Sequence, residues 1–223
     1  MKSFVFLYPI PEIIDSEIKH GSYGFLERNR YEDFSRRIEK AGSWEEKEKI
    51  KHKFLKECEL SFRKTYKEKI NVCIDLRYRK KGFEINYAIF DGHEISNVIN
   101  LQTSDRIIEV GMDFKTHTTK QPDGTYPYPD NDFILNQLGN IQTLRVAGFH
   151  MWDCVGKLAG RAYERGLETL VDEDLTEFFT FLIKDGNLQI DKFPSYNPIK
   201  HGKSMFNDFM EARKGKPWLW QEY

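Results

Sequence analysis

The chain has 223 residues, 39% of them hydrophobic, and a formal net charge of −1. That is enough apolar material for the core of one α/β domain, with or without an insertion, and it leaves no overall charge to draw the chain to nucleic acid or an anionic membrane surface. Three cysteines, Cys58, Cys73 and Cys154, form an odd, widely spaced set without a C-x-x-C pair, which argues for reduced thiols in a cytoplasmic protein and against a disulfide framework or a zinc site.

Residues 3–8 (SFVFLY) are a continuous apolar and aromatic run closed by Pro9 and Pro11, the pattern of a buried central strand and too short for a signal peptide or a membrane span. Residues 12–31 read as irregular, with Gly21, Ser22 and Gly24 marking a loop. Over residues 31–69 Glu, Lys and Arg are dense, and Phe34, Ile38, Phe54 and Phe62 recur at roughly helical intervals. Ala41-Gly42-Ser43 interrupts the pattern, so it predicts two helices, with Ser43 capping the second and Glu46 at the capping-box position. The interleaved glutamates make this a solvated helix surface rather than a basic patch for nucleic acid. It is longer than a crossover needs and reads as an elaboration of the single domain 1–223, a candidate subunit contact.

Residues 70–76 (INVCIDL) read as the next strand, 77–81 as an exposed basic turn, 83–90 as an alternating strand and 107–114 as another. The segment holding Pro122, Gly124, Pro127 and Pro129 cannot be regular structure. A short helix is expected at 132–138, capped by Asn131 or Asp132. After Asp174 the pattern gives an amphipathic helix at 175–183, an Asp-Gly turn, a short strand at 188–190 and a tail over 191–223 ending PWLWQEY. Exposed tryptophans on a terminal tail would make an unfavourable apolar patch, so the tail is expected to fold onto its own domain or a partner subunit.

The rest of the chain is organised around residues 144–174. Leu144, Val146 and Ala147 bounded by Gly148 read as a buried strand, and Val155, Leu158, Ala159 and Ala162 form one face of a helix that Gly166 ends. Residues 167–171 then make a parallel strand, completing a strand–helix–strand unit of right-handed connection. Cys154 stands at the join, where the helix dipole and free N–H groups favour thiolate, and at the strand end where ligands bind in open α/β sheets. Its alternative reading is a buried, inert cysteine.

Gly148, Cys154, Val155, Ala162, Gly166 and Asp174 together resemble the isochorismatase-like cysteine hydrolases, the superfamily of nicotinamidases and N-carbamoyl-amide hydrolases. The spacing matches as well as the identities: glycine six residues before the cysteine, glycine twelve after it, and an acidic residue eight beyond that. The resemblance covers roughly residues 105–180, and the N-terminal half only in element order. It implies a three-layer α/β/α fold with a mainly parallel, about six-stranded sheet, and a triad of cysteine, lysine and aspartate. Cys154 falls on the nucleophile. The resemblance further implies a cis peptide at Phe149–His150, with the N–H groups of His150 and Cys154 forming the oxyanion hole.

For the lysine, Lys115 follows the strand at 107–114 and Lys120 is the alternative; either also reads as a solvated surface lysine. The family's first-strand aspartate is absent, because this chain has Tyr8 and Pro9 there. Asp75 is the carboxylate in a comparable strand-end setting, though such a residue also commonly serves a turn. Met151 stands where the family often has threonine, and Asp153 beside Cys154 would oppose a thiolate. His150 could act as a base for the thiol but reads rather as a pocket residue, with Trp152, Tyr8, Tyr126, Tyr128 and Phe133 as further pocket walls. His93 and His117 lack a spacing that shares one face, so no metal is expected, and no cofactor.

The resulting expectation is a cysteine-dependent hydrolase of an amide or carbamoyl C–N bond in a small molecule, a homo-oligomer that contacts neither nucleic acid nor membrane. The alternative is an inactive relative serving as a ligand-binding or assembly module, supported by the missing first-strand aspartate.

Overall fold

A computed structural model describes residues 1–22, 28–193, 211 and 213–219. Five parallel strands, β1 (Lys2–Leu7), β2 (Glu84–Ile89), β3 (Arg106–Glu109), β4 (Thr143–Gly148) and β5 (Glu168–Val171), lie in the order β3-β2-β1-β4-β5. The first apolar run is central, as its continuous hydrophobicity predicts: Val5 pairs with Asn86 on one side and Val146 on the other. The expected six-stranded sheet has five strands among the described residues.

Strand alternation sorts β1 between two cores. Phe4 and Phe6 pack with residues of α1 (Pro11–Ser22), α3 (Trp44–Arg77) and α7 (Phe179–Lys184). Val5 and Leu7 pack with Ile134 and Leu135 of α5 (Asn131–Gln137) and with Leu158, Ala159 and Ala162 of α6 (Gly156–Glu164). Helices therefore cover both faces of the sheet, and each fully buried Phe or Leu contributes about 1.5–3 kcal/mol.

Several local expectations change in the folded chain. Residues 12–22 belong to α1, not a loop, because Pro11 opens the helix and Ile14 and Ile18 bury at a helical interval. Residues 70–76 continue α3: Ile70, Cys73, Ile74 and Arg77 are buried together, a helical face that a short apolar run cannot be told apart from a buried strand by pattern alone. The break at Ala41-Gly42-Ser43 does separate α2 (Arg28–Lys40) from α3. Ser43 accepts the Glu46 N–H at 3.1 Å, and the Glu46 carboxylate accepts from Gly42 N–H at 3.0 Å.

The predicted strand at 107–114 is shorter, since Asp113 caps a further helix, α4 (Phe114–Thr118). Asp130, one residue before the expected caps, starts α5. The helix expected over 175–183 is split into a 3-10 turn (Glu173–Leu175) and α7, and residues 188–190 form no strand.

The expected exposed turn at 77–81 hides a buried charge cluster. Arg77 Nη1 lies 3.0 Å from Asp172 and 2.9 Å from Asp174, all three side chains being 0% exposed, and the Tyr78 hydroxyl also donates to Asp172. Of the closing residues PWLWQEY, Pro217, Trp218 and Leu219 are described: Leu219 is buried and the Trp218 carbonyl accepts from Val171 N–H at 2.9 Å, so this part does fold onto its own domain. Among the described residues no helix is long and apolar enough to cross a membrane.

Candidate functional site

The site begins where β4 ends. Gly148 has φ +112°, and a Cβ there would stand 2.2 Å from the Leu7 carbonyl oxygen, so only glycine lets β4 and β1 terminate this close together. The Phe149–His150 peptide bond that follows is cis. The chain then makes a wide turn over Met151–Val155, closed by Val155 N–H donating to the His150 carbonyl at 3.1 Å, before α6 starts at Gly156. Cys154 sits in this turn and is 6% exposed.

At the end of β1, Tyr8 adopts the left-handed region at φ +60° while its N–H donates to the Ala88 carbonyl at 2.7 Å. This turn lays its ring against Phe90, with centroids 4.2 Å apart, and brings its hydroxyl near enough to the Cys154 sulfur for the two groups to shift each other's titration. Burial holds the Tyr8 hydroxyl above its ordinary titration range, so it stays protonated as a donor.

From α4 comes His117, whose sequence context bears only on metal binding and speaks against it. Its Nε2 lies 4.0 Å from Cys154 Sγ and its Nδ1 2.8 Å from the Pro127 carbonyl. A carbonyl can only accept, so Nδ1 carries the proton and the Nε2 lone pair faces the thiol. Phe90 stacks against the imidazole at 5.1 Å and Tyr128 meets it edge-on at 5.3 Å, which fixes the ring plane. The readable signal for it was position: His117 shares with Lys115 the short segment that follows β3.

Asp153 lies beside Cys154 in the chain, with its carboxylate held by Lys157 Nζ at 2.7 Å and the Tyr128 hydroxyl at 2.9 Å. Burial, followed by the Asp153 charge, pushes the Cys154 thiol up to about 12, against the opposing pull of Lys157, the Tyr8 hydroxyl and the cysteine's own N–H. The expectation of a helix-stabilised thiolate is thereby reversed: desolvation outweighs the dipole at this depth.

The remaining candidates are dispersed. Lys115 and Lys120 are exposed, and among the described residues neither pairs with Cys154. Asp75 sits on α3 with Arg79 and Gln102, near the start of β3 and so at the opposite end of the parallel sheet from the turn holding Cys154. His93, weighed with His117 for a metal, instead faces Glu12 at 3.5 Å. Phe149 is a core residue packed edge-on to Phe6 at 6.0 Å. His150 pairs instead with Glu177, its Nδ1 3.5 Å from the carboxylate, whose Oε1 also accepts from Met151 N–H at 3.0 Å. The Glu177 hydrogen bond raises the His150 titration above its ordinary value of 6.5, against the opposing effect of burial.

Tyr126 and Tyr128 are both exposed, and Tyr128 reaches the Cys154 turn through its hydroxyl on Asp153. Trp152 lines a cavity of about 400 Å³ whose lining does not include Cys154. Among the described residues no three His, Cys, Asp or Glu side chains cluster as a metal site. The arrangement can therefore take a proton from a neutral thiol through His117, with the protonated Tyr8 hydroxyl on the same side of the sheet end. Comparison with known proteins found no matching family model, no matching curated protein and no matching solved structure.

Proposed function

We propose that this chain is a divergent isochorismatase-like cysteine hydrolase that cleaves an amide or carbamoyl C–N bond in a small molecule, with Cys154 as nucleophile and His117 as its base. The observation that carries this reading is the 4.0 Å approach of His117 Nε2 to Cys154 Sγ, with Nδ1 anchored on the Pro127 carbonyl. Because the thiol is held neutral, deprotonation accompanies attack. His117 Nε2 takes the Sγ proton as sulfur bonds to the carbonyl carbon, then passes it to the leaving nitrogen as the C–N bond breaks. Water resolves the thioester, giving one proton to His117 and thence to sulfur, so that acid and amine are the net products. Three free cysteines fit a cytoplasmic setting, and the same reading carries a homo-oligomer.

The test is release of ammonia from a panel of primary amides and N-carbamoyl compounds. Wild-type protein is expected to turn over a member of the panel, His117→Ala to lose at least about a hundredfold, as general-base removal does, and Cys154→Ala to be inactive. Turnover that survives Cys154→Ala would remove this reading. The second reading, an inactive ligand-binding or assembly module, is favoured by the Tyr8 hydroxyl standing where the resemblance calls for a carboxylate. It predicts ligand binding that Cys154→Ala leaves unchanged, with no turnover at all.

A further inference from the structure

The turn that carries Cys154 opens on a backbone donor that its own hydrogen bonds leave over. Val155 and Asp153 N–H both donate to the His150 carbonyl, at 3.1 and 3.2 Å, but the N–H of Met151, the first residue of the turn, comes too early to find an acceptor inside it. Met151 is buried, so leaving that N–H unpaired would cost its desolvation. The acceptor is supplied by another part of the chain: Glu177 Oε1, at 3.0 Å, on the segment between the 3-10 turn (Glu173–Leu175) and α7. That segment is itself held firmly. Asp174 pairs with Arg77 at 2.9 Å, the Thr176 hydroxyl donates to the Glu173 carbonyl at 2.6 Å, and Phe179 is buried.

The same Oε1 stands 3.5 Å from His150 Nδ1, and Glu17 of α1 is close enough to feel both groups. Burial raises the Glu17 carboxyl above its ordinary value; the His150 and His20 imidazoles act against this and the Glu177 charge acts with it. From α3, the buried Tyr66 hydroxyl also feels Glu17. His150 is raised first by Glu177, against burial, and then by the Glu17 and Asp153 charges.

We propose that Glu177 is a positioning residue for Cys154: its carboxylate holds the first peptide of the turn, and holds it more firmly while His150 is charged and Glu17 is not, so that the placement of the thiol is proton-dependent. This deepens the hydrolase reading and rests on it for any effect on turnover, while the hold itself is measurable without a substrate. As pH rises through the folded value of His150, which lies above 6.5, the attraction on Glu177 is lost, and a Glu17 that ionises above its ordinary 4.5 repels the Glu177 carboxylate. Both changes loosen the turn.

The test is backbone hydrogen–deuterium exchange of a peptide spanning residues 150–156, read by mass spectrometry as the ratio of variant to wild type at each pH. A peptide around Cys73 in α3 serves as the control for global unfolding. Glu177→Ala removes both acceptor and charge and should speed exchange of the turn about tenfold, the scale of one hydrogen bond. Glu177→Gln keeps an acceptor for the Met151 N–H and loses the charge, so it should exchange several-fold faster than wild type near about pH 6 and match it near about pH 9. Alkylation of Cys154 by iodoacetamide should be faster in Glu177→Ala by the same factor, with Cys73 unchanged. Exchange in Glu177→Ala equal to wild type would overturn the proposal. So would a Glu177→Gln ratio that does not change with pH, or an acceleration that the Cys73 peptide shares in Glu177→Gln, the variant that decides alone where Glu177→Ala does not fold. Absence of amide turnover in wild-type protein, with the expected exchange, removes the hydrolase reading and leaves the hold of Glu177 on the turn in place.

Discussion

Asp153 accepts a hydrogen bond from the Lys157 ammonium at 2.7 Å, one residue from the buried thiol of Cys154. The two charges pull the thiol in opposite directions, and with burial as the largest cause its titration is raised to about 12. Asp153→Asn should therefore lower the thiol titration and Lys157→Met should raise it. The check is the pH dependence of Cys154 alkylation by iodoacetamide, read by mass spectrometry, with Cys73, itself raised to about 12 by burial, as an internal control. A wild-type midpoint below 9 would contradict the geometry. Because the folded value lies above the ordinary 9.0, the thiol's contribution to stability is complete below pH 9 and is lost as pH rises toward 12.

Replacing Gly148 tests how tightly β4 and β1 end together. Gly148→Ala places a Cβ 2.2 Å from a backbone oxygen at φ +112°, so both the contact and the conformation are penalised. A loss of about 3 kcal/mol or more is expected in urea unfolding, the sum of a left-handed strain and an overpacking cost. A loss below about 1 kcal/mol would show that the strand end relaxes, since surface substitutions cost that little.

Arg77 neutralises two carboxylates inside the protein. Arg77→Met leaves Asp172 and Asp174 buried without their cation and should cost about 3–5 kcal/mol. Adding Asp172→Asn and Asp174→Asn should recover part of that loss, measured by the same unfolding experiment. If the triple variant is no more stable than Arg77→Met, the penalty comes from lost packing rather than from unpaired charge.

The His150–Glu177 pair reports on the far side of the same turn. By NMR, His150 should titrate above 6.5, and Glu177→Gln should return it toward that value. A histidine raised in the folded state stabilises it fully below the unfolded value, and the contribution fades as pH rises through the folded one. Stability differences between wild type and Glu177→Gln should accordingly shrink as pH is raised above neutrality.

How far the chain could be read without its fold is decided by the distance over which each feature forms. The central strand, the strand–turn–helix–strand frame around Cys154 and the capping box at Ser43 are set by neighbours within a turn or two, and their residues carry the pattern directly. The run at 70–76 is apolar enough for a strand, and only its packing under the sheet against Phe4 and Phe6 makes it helical. Likewise the pairing of Arg77 with Asp172 joins positions 95 apart, and the approach of His117 to Cys154 joins positions 37 apart. Local periodicity reports which face of an element is apolar; which polar side chains meet across loops is settled by chain crossings that no single segment encodes. Hence the sequence by itself determined the frame around Cys154, while the approach of His117, the placement of Tyr8 and the raised thiol were decided by tertiary structure alone.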